Sequence, residues 1–231
     1  MQKSPPNSPH PVRQELLLIG GGHSHVAVVR AFGMRPVPGL RLTVVSRDVH
    51  TPYSGMLPGL VAGHYGFDDC HIDLRPLCEA NGVRLVHGEV TELDPARQSV
   101  RVDGRGEIPF DWASINIGSR PALDAIAGGT QHGIAVKPID RFLAYWQGLL
   151  AELMEAPRPC RMLVVGGGAA GVEVALACAW RASQALGAHA AGLRVGIANA
   201  APVLLPSHNA LVRRHFVREL ARRGIEVHCG A

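Results

Sequence analysis

The chain has 231 residues, of which 47% are hydrophobic, and a formal net charge of +4. This length and hydrophobic content suit one large domain or two ordinary globular domains with buried cores. The mild charge, with no basic stripe interleaved with aromatic residues, argues against nucleic-acid binding, and no apolar run is long enough to span a membrane.

The N-terminus and the cysteines indicate the compartment. Residues 1–13 are rich in Pro and Ser and lack the apolar core of a signal peptide, so a disordered lead is predicted. The five cysteines are odd in number, scattered and without a CxxC motif. This usage is typical of free thiols in a reducing compartment, so we expect a cytoplasmic protein. The twelve histidines show no zinc-like spacing, and no metal site is predicted.

The chain opens with a strand–glycine–helix unit. A strand over residues 16–19 runs into Gly20-Gly21-Gly22, and a helix is predicted over 23–32, with His25 at the position of a third glycine. A second strand, 41–45, ends in Ser46-Arg47-Asp48, so an acid suited to a ribose hydroxyl arrives late. Residues 50–63 form a loop shaped by Pro and Gly, with a helical turn at 57–62.

The rest of the first half is predicted to contain a helix, two strands and a hairpin. Residues 89–102 alternate polar and apolar around Asp94-Pro95, which predicts an antiparallel hairpin. The helix is predicted at 73–80 and the strands at 83–87 and 111–118. A helix over 139–154 then carries an apolar stripe, which favours packing in a core or between domains over membrane contact.

A second, stronger glycine unit follows the linker at residues 155–159. The strand Met162–Val165 leads into Gly166-x-Gly168-x-x-Gly171 and a helix over 169–186. Gly166 permits the turn, Gly168 lets backbone approach a pyrophosphate, and Gly171 lets the helix pack near the strand. The phosphates are expected at the helix N-terminus, against free N–H groups and the positive end of the dipole.

The last predicted elements are the strand 193–198, the helix 209–223 and the strand 225–229. The helix carries five arginines, and the simplest interpretation is a solvated face. These residues are Arg213, Arg214, Arg218, Arg222 and Arg223.

Three stretches resemble the flavoprotein reductases with two dinucleotide-binding domains, the superfamily of glutathione reductase and the type II NADH dehydrogenases. LLLIGGGHSHV is similar to the loop for FAD phosphates, SINIGSRP to the strand end beside the flavin nucleotide, and LVVGGGAAGVEVA to the NAD(P)H loop. HTPYSGMLPG beside GGGHSHV also resembles the dehydrogenase-like module fused to selenophosphate synthase in some bacteria. The resemblance covers residues 15–231.

The resemblance implies an α/β fold of Rossmann-like FAD- and NAD(P)-binding domains with central parallel sheets and a small antiparallel β element. It implies an FAD-binding domain at residues 14–157 and an NAD(P)H-binding domain at 158–231. Residues 50–63 are then either an ordinary crossover or a loop lining the flavin pocket. The candidate cofactor-binding residues are Gly20, Gly22, His23, Ser24, His25, Ser46, Arg47, Asp48, Pro52, Tyr53, Ser54, Gly55, Asn116, Gly118, Ser119, Gly166, Gly168, Ala169, Ala170, Gly171, Glu173 and Asn199.

The implied activity is hydride transfer from NAD(P)H to FAD and onward to a quinone or another small-molecule acceptor. Glu173 and Lys137 are the candidate catalytic groups, although Glu173 has the simpler interpretation of an acid stabilising a helix N-terminus. A non-catalytic FAD- or NAD-binding module is the alternative. A homodimer and a fused or associated C-terminal domain are the protein partners considered.

The sequence departs from the family at three places. Residues 50–63 hold no Cys-x4-Cys pair, so no redox-active disulfide is expected. Asn199 follows the strand 193–198 where an acid or a nearby arginine would select NAD or NADP, and NADH is expected because a buried phosphate without a cationic partner is costly. The family's returning FAD segment is missing, so a C-terminally incomplete chain is expected.

Overall fold

A computed structural model describes residues 11–230 and confirms the α/β class, with parallel sheets and a separate antiparallel sheet. The predicted lead, residues 1–13, lies outside the described residues except for 11–13. The strands are β1 (Gln14–Ile19), β2 (Leu40–Ser46), β3 (His50–Pro52), β4 (His71–Asp73), β5 (Arg84–His87), β6 (Val90–Asp94), β7 (Ser99–Val102), β8 (Gly106–Pro109), β9 (Trp112–Ile115), β10 (Cys160–Val165), β11 (Leu193–Asn199) and β12 (Glu226–Cys229). The α-helices are α1 (His23–Met34), α2 (Leu57–Ala62), α3 (Phe67–Cys70), α4 (Leu74–Ala80), α5 (Gly129–His132), α6 (Ile139–Glu155), α7 (Ala169–Leu186) and α8 (Ala210–Arg222).

Contacts between residues divide the chain into two compact units. Among the described residues, the first unit holds 11–53 and 71–119, and the second holds 54–70 and 120–230. The second unit therefore includes two segments, 54–70 and 120–157, that lie before the sequence boundary at residue 157. The assignment of FAD to one domain and NAD(P)H to the other stays a prediction.

The first unit is built on a four-stranded parallel sheet in the order β5-β2-β1-β9. Its central strands β1 and β2 are largely apolar and buried on both faces, as expected of a covered parallel sheet, whereas the edge strand β9 is exposed. One face packs against the antiparallel sheet β6-β7-β8 through Leu17, Val45 and Val100, and the other buries Leu18 and Val44 with Val29 of α1. The predicted hairpin at 89–102 is β6–β7, and β8 adds a strand that the sequence pattern did not indicate.

The second unit is built on the parallel sheet β10-β11-β12 and a large core around α7. Helix α6 contributes its apolar stripe, including the fully buried Trp146, so the prediction of core packing is confirmed for the stripe. Two large hydrophobic residues of the predicted helix, Tyr145 and Met154, are 47% and 57% exposed because they lie on the flanks of the stripe. Helix α2 packs in the same core, so residues 57–62 are more than a surface turn.

The structure places no membrane-crossing helix: between residues 11 and 230, each helix is too short or too polar for that role.

Candidate functional site: two glycine loops

Each unit has a glycine loop between its first parallel strand and the following helix. In the first unit, β1 ends at Ile19, Gly20 turns the chain with φ +93°, and Gly22 is the N-cap residue of α1. The positive φ favours glycine because a Cβ is strained there. No capping side chain accepts a hydrogen bond from the first N–H groups of α1, and its first turn holds no acidic residue. The first N–H groups of α1 are therefore open to an anion.

His25 occupies the position of the third glycine and is buried, with 3% exposure. Its Nδ1 lies 2.7 Å from the carbonyl oxygen of Gly20, and its Nε2 lies 3.0 Å from Oγ of Ser114. The imidazole thus ties the glycine loop to β9 through both of its ring nitrogens, and the role of His25 toward a cofactor stays a prediction. The sequence did not single out Ser114, although it lies in the SINIG stretch that carries the resemblance.

Asn116 makes a second connection between the glycine loop and the end of β9. Its backbone N–H donates to the Ile19 carbonyl at 2.8 Å, and its Nδ2 donates to Oγ of Ser24 at 3.0 Å. A Cβ on Gly22 would overlap the Asn116 amide, and one on Gly20 would overlap the Asn116 carbonyl. Gly20, Gly22, Ser24 and Asn116, all candidate cofactor residues, therefore converge at one sheet edge. Gly118, with φ +78°, and the exposed Ser119 continue this loop.

The end of β2 is organised around Ser46, which donates from Oγ to the carbonyl of Asp48 at 2.7 Å. The Asp48 carboxylate pairs with Arg47 at 2.8 Å, and both side chains are more than half exposed. The charge of Asp48 is thus neutralised by Arg47, and both residues lie beyond the end of β2. Its role toward a ribose stays a prediction.

The remaining candidates of the first half lie around β3. The rings of His23 and Tyr53 are 4.7 Å apart, which places the first residue of α1 beside the end of β3. Pro52 is the last residue of β3, whereas Ser54 and Gly55 begin a 3-10 turn that belongs to the second unit.

The second loop has the same construction with all three glycines in place. Gly166 has φ +118°, and a Cβ on Gly171 would overlap the Gly166 carbonyl, so close packing requires both glycines. Gly168 is the N-cap residue of α7, where no side chain caps the helix. A Cβ on Gly168 would meet no protein atom within 4 Å. The exposed backbone of Gly168, Ala169 and Ala170 is therefore open to a ligand.

The model of one family, Pyridine nucleotide-disulphide oxidoreductase, matches residues 14–231. The chain belongs to this family. Among curated proteins, it is similar to sulfide-quinone reductase of Aquifex aeolicus (strain VF5), with 25% identity over 147 residues, covering 63% of the chain and 33% of the relative.

Solved structures of this kind share the fold. The sulfide:quinone oxidoreductase of Aquifex aeolicus has a TM-score of 0.71 at 19% identity, covering 94% of the chain and 51% of that structure. NDH2 of Plasmodium falciparum in complex with NADH has a TM-score of 0.77 at 15% identity, covering 94% and 48%. The chain therefore spans about half the length of these solved oxidoreductases and about a third of the curated relative.

The side chain of Asn199, at the end of β11, is engaged in hydrogen bonds within the protein. Its Oδ1 accepts from the Gly167 N–H at 3.1 Å, and its Nδ2 donates to the carbonyls of Ala201 and Val203 at 3.0 and 2.9 Å. The Leu205 N–H also donates to the Gly167 carbonyl at 2.8 Å. Asn199 thus fastens the loop over residues 200–205 to the glycine loop, a structural task that the sequence pattern did not indicate.

The two candidate catalytic residues are not joined to each other. Glu173 is exposed on α7, four residues after its start, and Lys137 is half-buried two residues before α6. No hydrogen bond or ion pair connects them within the described chain. Their catalytic roles stay predictions.

All five cysteines lie in the described range and are free thiols in this structure. Burial raises the pKa of the Cys78 thiol to about 11 and that of Cys178 to about 12. Such thiols are poor nucleophiles near neutral pH. Nowhere in residues 11–230 do three His, Cys, Asp or Glu side chains come together in an arrangement that could hold a metal ion.

Proposed function

We propose that this chain is the cofactor-binding part of an FAD-dependent NAD(P)H oxidoreductase, with FAD on the first unit and NAD(P)H on the second. The observation that carries the proposal is the repetition of one anion-binding device. Each unit has a parallel strand, a glycine turn of positive φ and a long helix whose N-terminus has no capping side chain. Two such devices suit the two dinucleotides of the family.

The residues fit the pyrophosphates of both cofactors. The open space beside Gly168 is where backbone approach to a phosphate is required, because a side chain there would fill it. In the first loop, His25 is hydrogen-bonded to the Gly20 carbonyl and Asn116 to the Ser24 hydroxyl, and these bonds fix the loop's position. The helix-start N–H groups of α1 then remain for the phosphate oxygens.

When bound, FAD supplies the redox chemistry, taking a hydride (two electrons and a proton) from NAD(P)H and passing two electrons to an acceptor. The chain's own residues position the cofactors and tune local charge. We assign Glu173 and Lys137 to the tuning of charge: Glu173 is exposed just after the glycine loop, and Lys137 is a half-buried cationic residue two positions before α6. The proposed acceptor is a quinone or another small molecule, in line with the sulfide-quinone reductase relative.

The proposed route contains no protein disulfide. The cysteines in the described chain are unpaired, and burial raises the pKa values of the two most deeply buried thiols, Cys78 and Cys178. A homodimer, a fused C-terminal domain and a cytoplasmic location belong to the proposal as expectations from the sequence.

The test is an absorbance spectrum of the purified chain, followed by anaerobic addition of NADH and of NADPH. A yellow protein that bleaches on addition supports the oxidoreductase. A colourless protein that binds NAD+ tightly supports the alternative, a non-catalytic nucleotide-binding module. Glu173→Gln should slow bleaching at saturating dinucleotide, and an unchanged rate would remove Glu173 from the reaction centre.

A further inference from the structure

A cavity of about 380 Å³ opens in the second unit beside the carboxyl ends of β11 and β12. Its walls come from the loop 202–204, one face of α8 and β12. The apolar part of the wall includes Val203, Val217 and Val227, which are 41%, 50% and 37% exposed. Exposed apolar side chains around a concave surface are typical of ligand sites.

The charged part of the wall is entirely basic. Arg213, Arg214 and Arg218 line the cavity, and no carboxylate does. None of the three has an ion pair among the residues described. By contrast, Arg222 and Arg223 on the same helix pair with Glu219 at 2.8 and 3.5 Å. The five arginines that look alike in sequence therefore separate into a neutralised pair and an uncompensated cluster of three.

The cavity adjoins the proposed NAD(P)H loop through the protein's own hydrogen bonds. Asn199 accepts from the Gly167 N–H of the glycine loop and donates to the carbonyl of Val203, which lines the cavity. In sheets of this kind, a dinucleotide extends from the glycine loop toward the end of the next strand, where its adenosine ribose is recognised. In this chain, a dinucleotide that extends from the glycine loop past Asn199 reaches the cavity lined by the three arginines.

We propose that this cavity receives the adenosine end of NADPH and that Arg213, Arg214 and Arg218 bind its 2′-phosphate. The inference rests on the proposed function and deepens it by naming the nucleotide. Guanidinium groups suit a phosphate dianion because they donate several charge-assisted hydrogen bonds. The expectation of NADH depended on the lack of a guanidinium near Asn199 in the sequence, whereas the fold brings α8 to the loop after that residue.

The test is calorimetric titration of the full chain with NADP+ and with NAD+, which differ only in the 2′-phosphate and require no flavin turnover. We expect NADP+ to bind at least tenfold more tightly than NAD+. The double variant Arg213→Gln/Arg214→Gln should reduce this ratio below threefold. Arg222→Gln, outside the cavity, is the matched control and should keep the wild-type ratio.

The possible failures are distinguishable. Equal affinity for the two dinucleotides, or a ratio unchanged in a folded double variant, overturns the phosphate site and leaves the proposed function intact. Failure of both dinucleotides to bind overturns the proposed function and this inference together. If the double variant does not fold, as judged by circular dichroism, Arg213→Gln and Arg214→Gln are titrated singly, and an undiminished ratio in both overturns the site.

Discussion

His25 donates a hydrogen bond from Nδ1 to the carbonyl oxygen of Gly20, at 2.7 Å, in the loop that precedes its own helix. Because a carbonyl can only accept, Nδ1 carries the hydrogen, and in the neutral imidazole Nε2 accepts from the Ser114 hydroxyl. A histidine thus stands where a third glycine is usual in such loops. It replaces close backbone packing with two hydrogen bonds that join α1, the glycine loop and β9.

We expect His25→Ala to lower the free energy of unfolding of the first unit by about 2 kcal/mol or more, because it leaves a cavity and an unpaired carbonyl. Urea unfolding followed by circular dichroism measures the shift in midpoint. His23→Ala is the control, since His23 is only half-buried and should shift the midpoint little. Equal midpoints for the two variants would show that the His25 network does not stabilise the loop.

A side chain added at Gly168 is predicted to weaken dinucleotide binding, whereas one added at Gly171 is predicted to destabilise the fold. A Cβ at Gly168 meets no protein atom, so Gly168→Val should fold normally but weaken dinucleotide binding at least tenfold, about 1.4 kcal/mol. A Cβ at Gly171 overlaps the Gly166 carbonyl, so Gly171→Val should destabilise the fold itself. Calorimetry and thermal unfolding on both variants separate the effects. Wild-type affinity in folded Gly168→Val would exclude the pyrophosphate assignment.

Much of the fold follows from sequence periodicity and glycine placement. The helix predicted at 169–186 has the observed bounds of α7, and the strand predicted at 193–198 differs from β11 by one residue. These elements are long or strongly apolar, so local pattern decides them. The strand predicted at 111–118 ends at Ile115, because Asn116 leaves the sheet to hold the glycine loop.

What the sequence did not predict depends on contacts between distant residues. Residues 54–70 precede the first unit's β4 in the chain but pack with the second unit, which no local pattern reveals. The different surroundings of Arg213 and Arg222 depend on the position of Glu219 and of the loop 202–204. Likewise, the roles of His25 and Asn199 emerge only when their hydrogen-bond partners are known.

Asn199→Asp is predicted not to improve NADH binding, although an acid at a strand end often recognises a ribose. The aspartate has no N–H to donate, so the Val203 carbonyl loses the Asn199 donor, the Ala201 carbonyl keeps only the Gly230 N–H at 3.2 Å, and the loop loosens. We expect a lower thermal midpoint and a NADH affinity equal to or weaker than that of the wild type. A tightening of threefold or more would show that Asn199 is free to face the ribose.

The cysteines should differ sharply in reactivity in the native chain. Cys229 is exposed, whereas burial raises the pKa of Cys178 to about 12 from an ordinary value of 9.0. At pH 8, a thiol reagent such as Ellman's should modify Cys229 quickly and Cys178 only after unfolding. Cys229→Ser should remove the fast phase, and its persistence in that variant would contradict the assignment.

The raised pKa of the Cys178 thiol predicts a loss of folding stability in alkali. The unfolded chain releases the Cys178 proton near pH 9, while the folded chain holds it until about pH 12. The contribution of this thiol is therefore complete below pH 9 and is lost as the pH rises toward 12. Cys178→Ala should show a smaller fall in midpoint over this range than the wild type, and an identical fall would exclude the mechanism.

Asp73 should contribute stability that disappears in acid. Its carboxylate accepts from the Arg75 side chain at 2.7 Å and caps α4 by accepting from the Arg75 N–H at 2.9 Å, which lowers its pKa from 3.8 to about 2. The positive field of a protonated His50, 3.7 Å away, acts in the same direction. Because the folded pKa is depressed, the contribution is present above about pH 4 and is lost as the pH falls toward 2.

Asp73→Asn keeps a capping side chain but should lose this pH dependence of stability, so its unfolding midpoint approaches that of the wild type only in acid. Arg75→Ala removes the main cause and should return the Asp73 titration, followed by carboxyl NMR, toward its ordinary range. An Asp73 titration that stays near pH 2 in Arg75→Ala would show that the ion pair does not set the pKa.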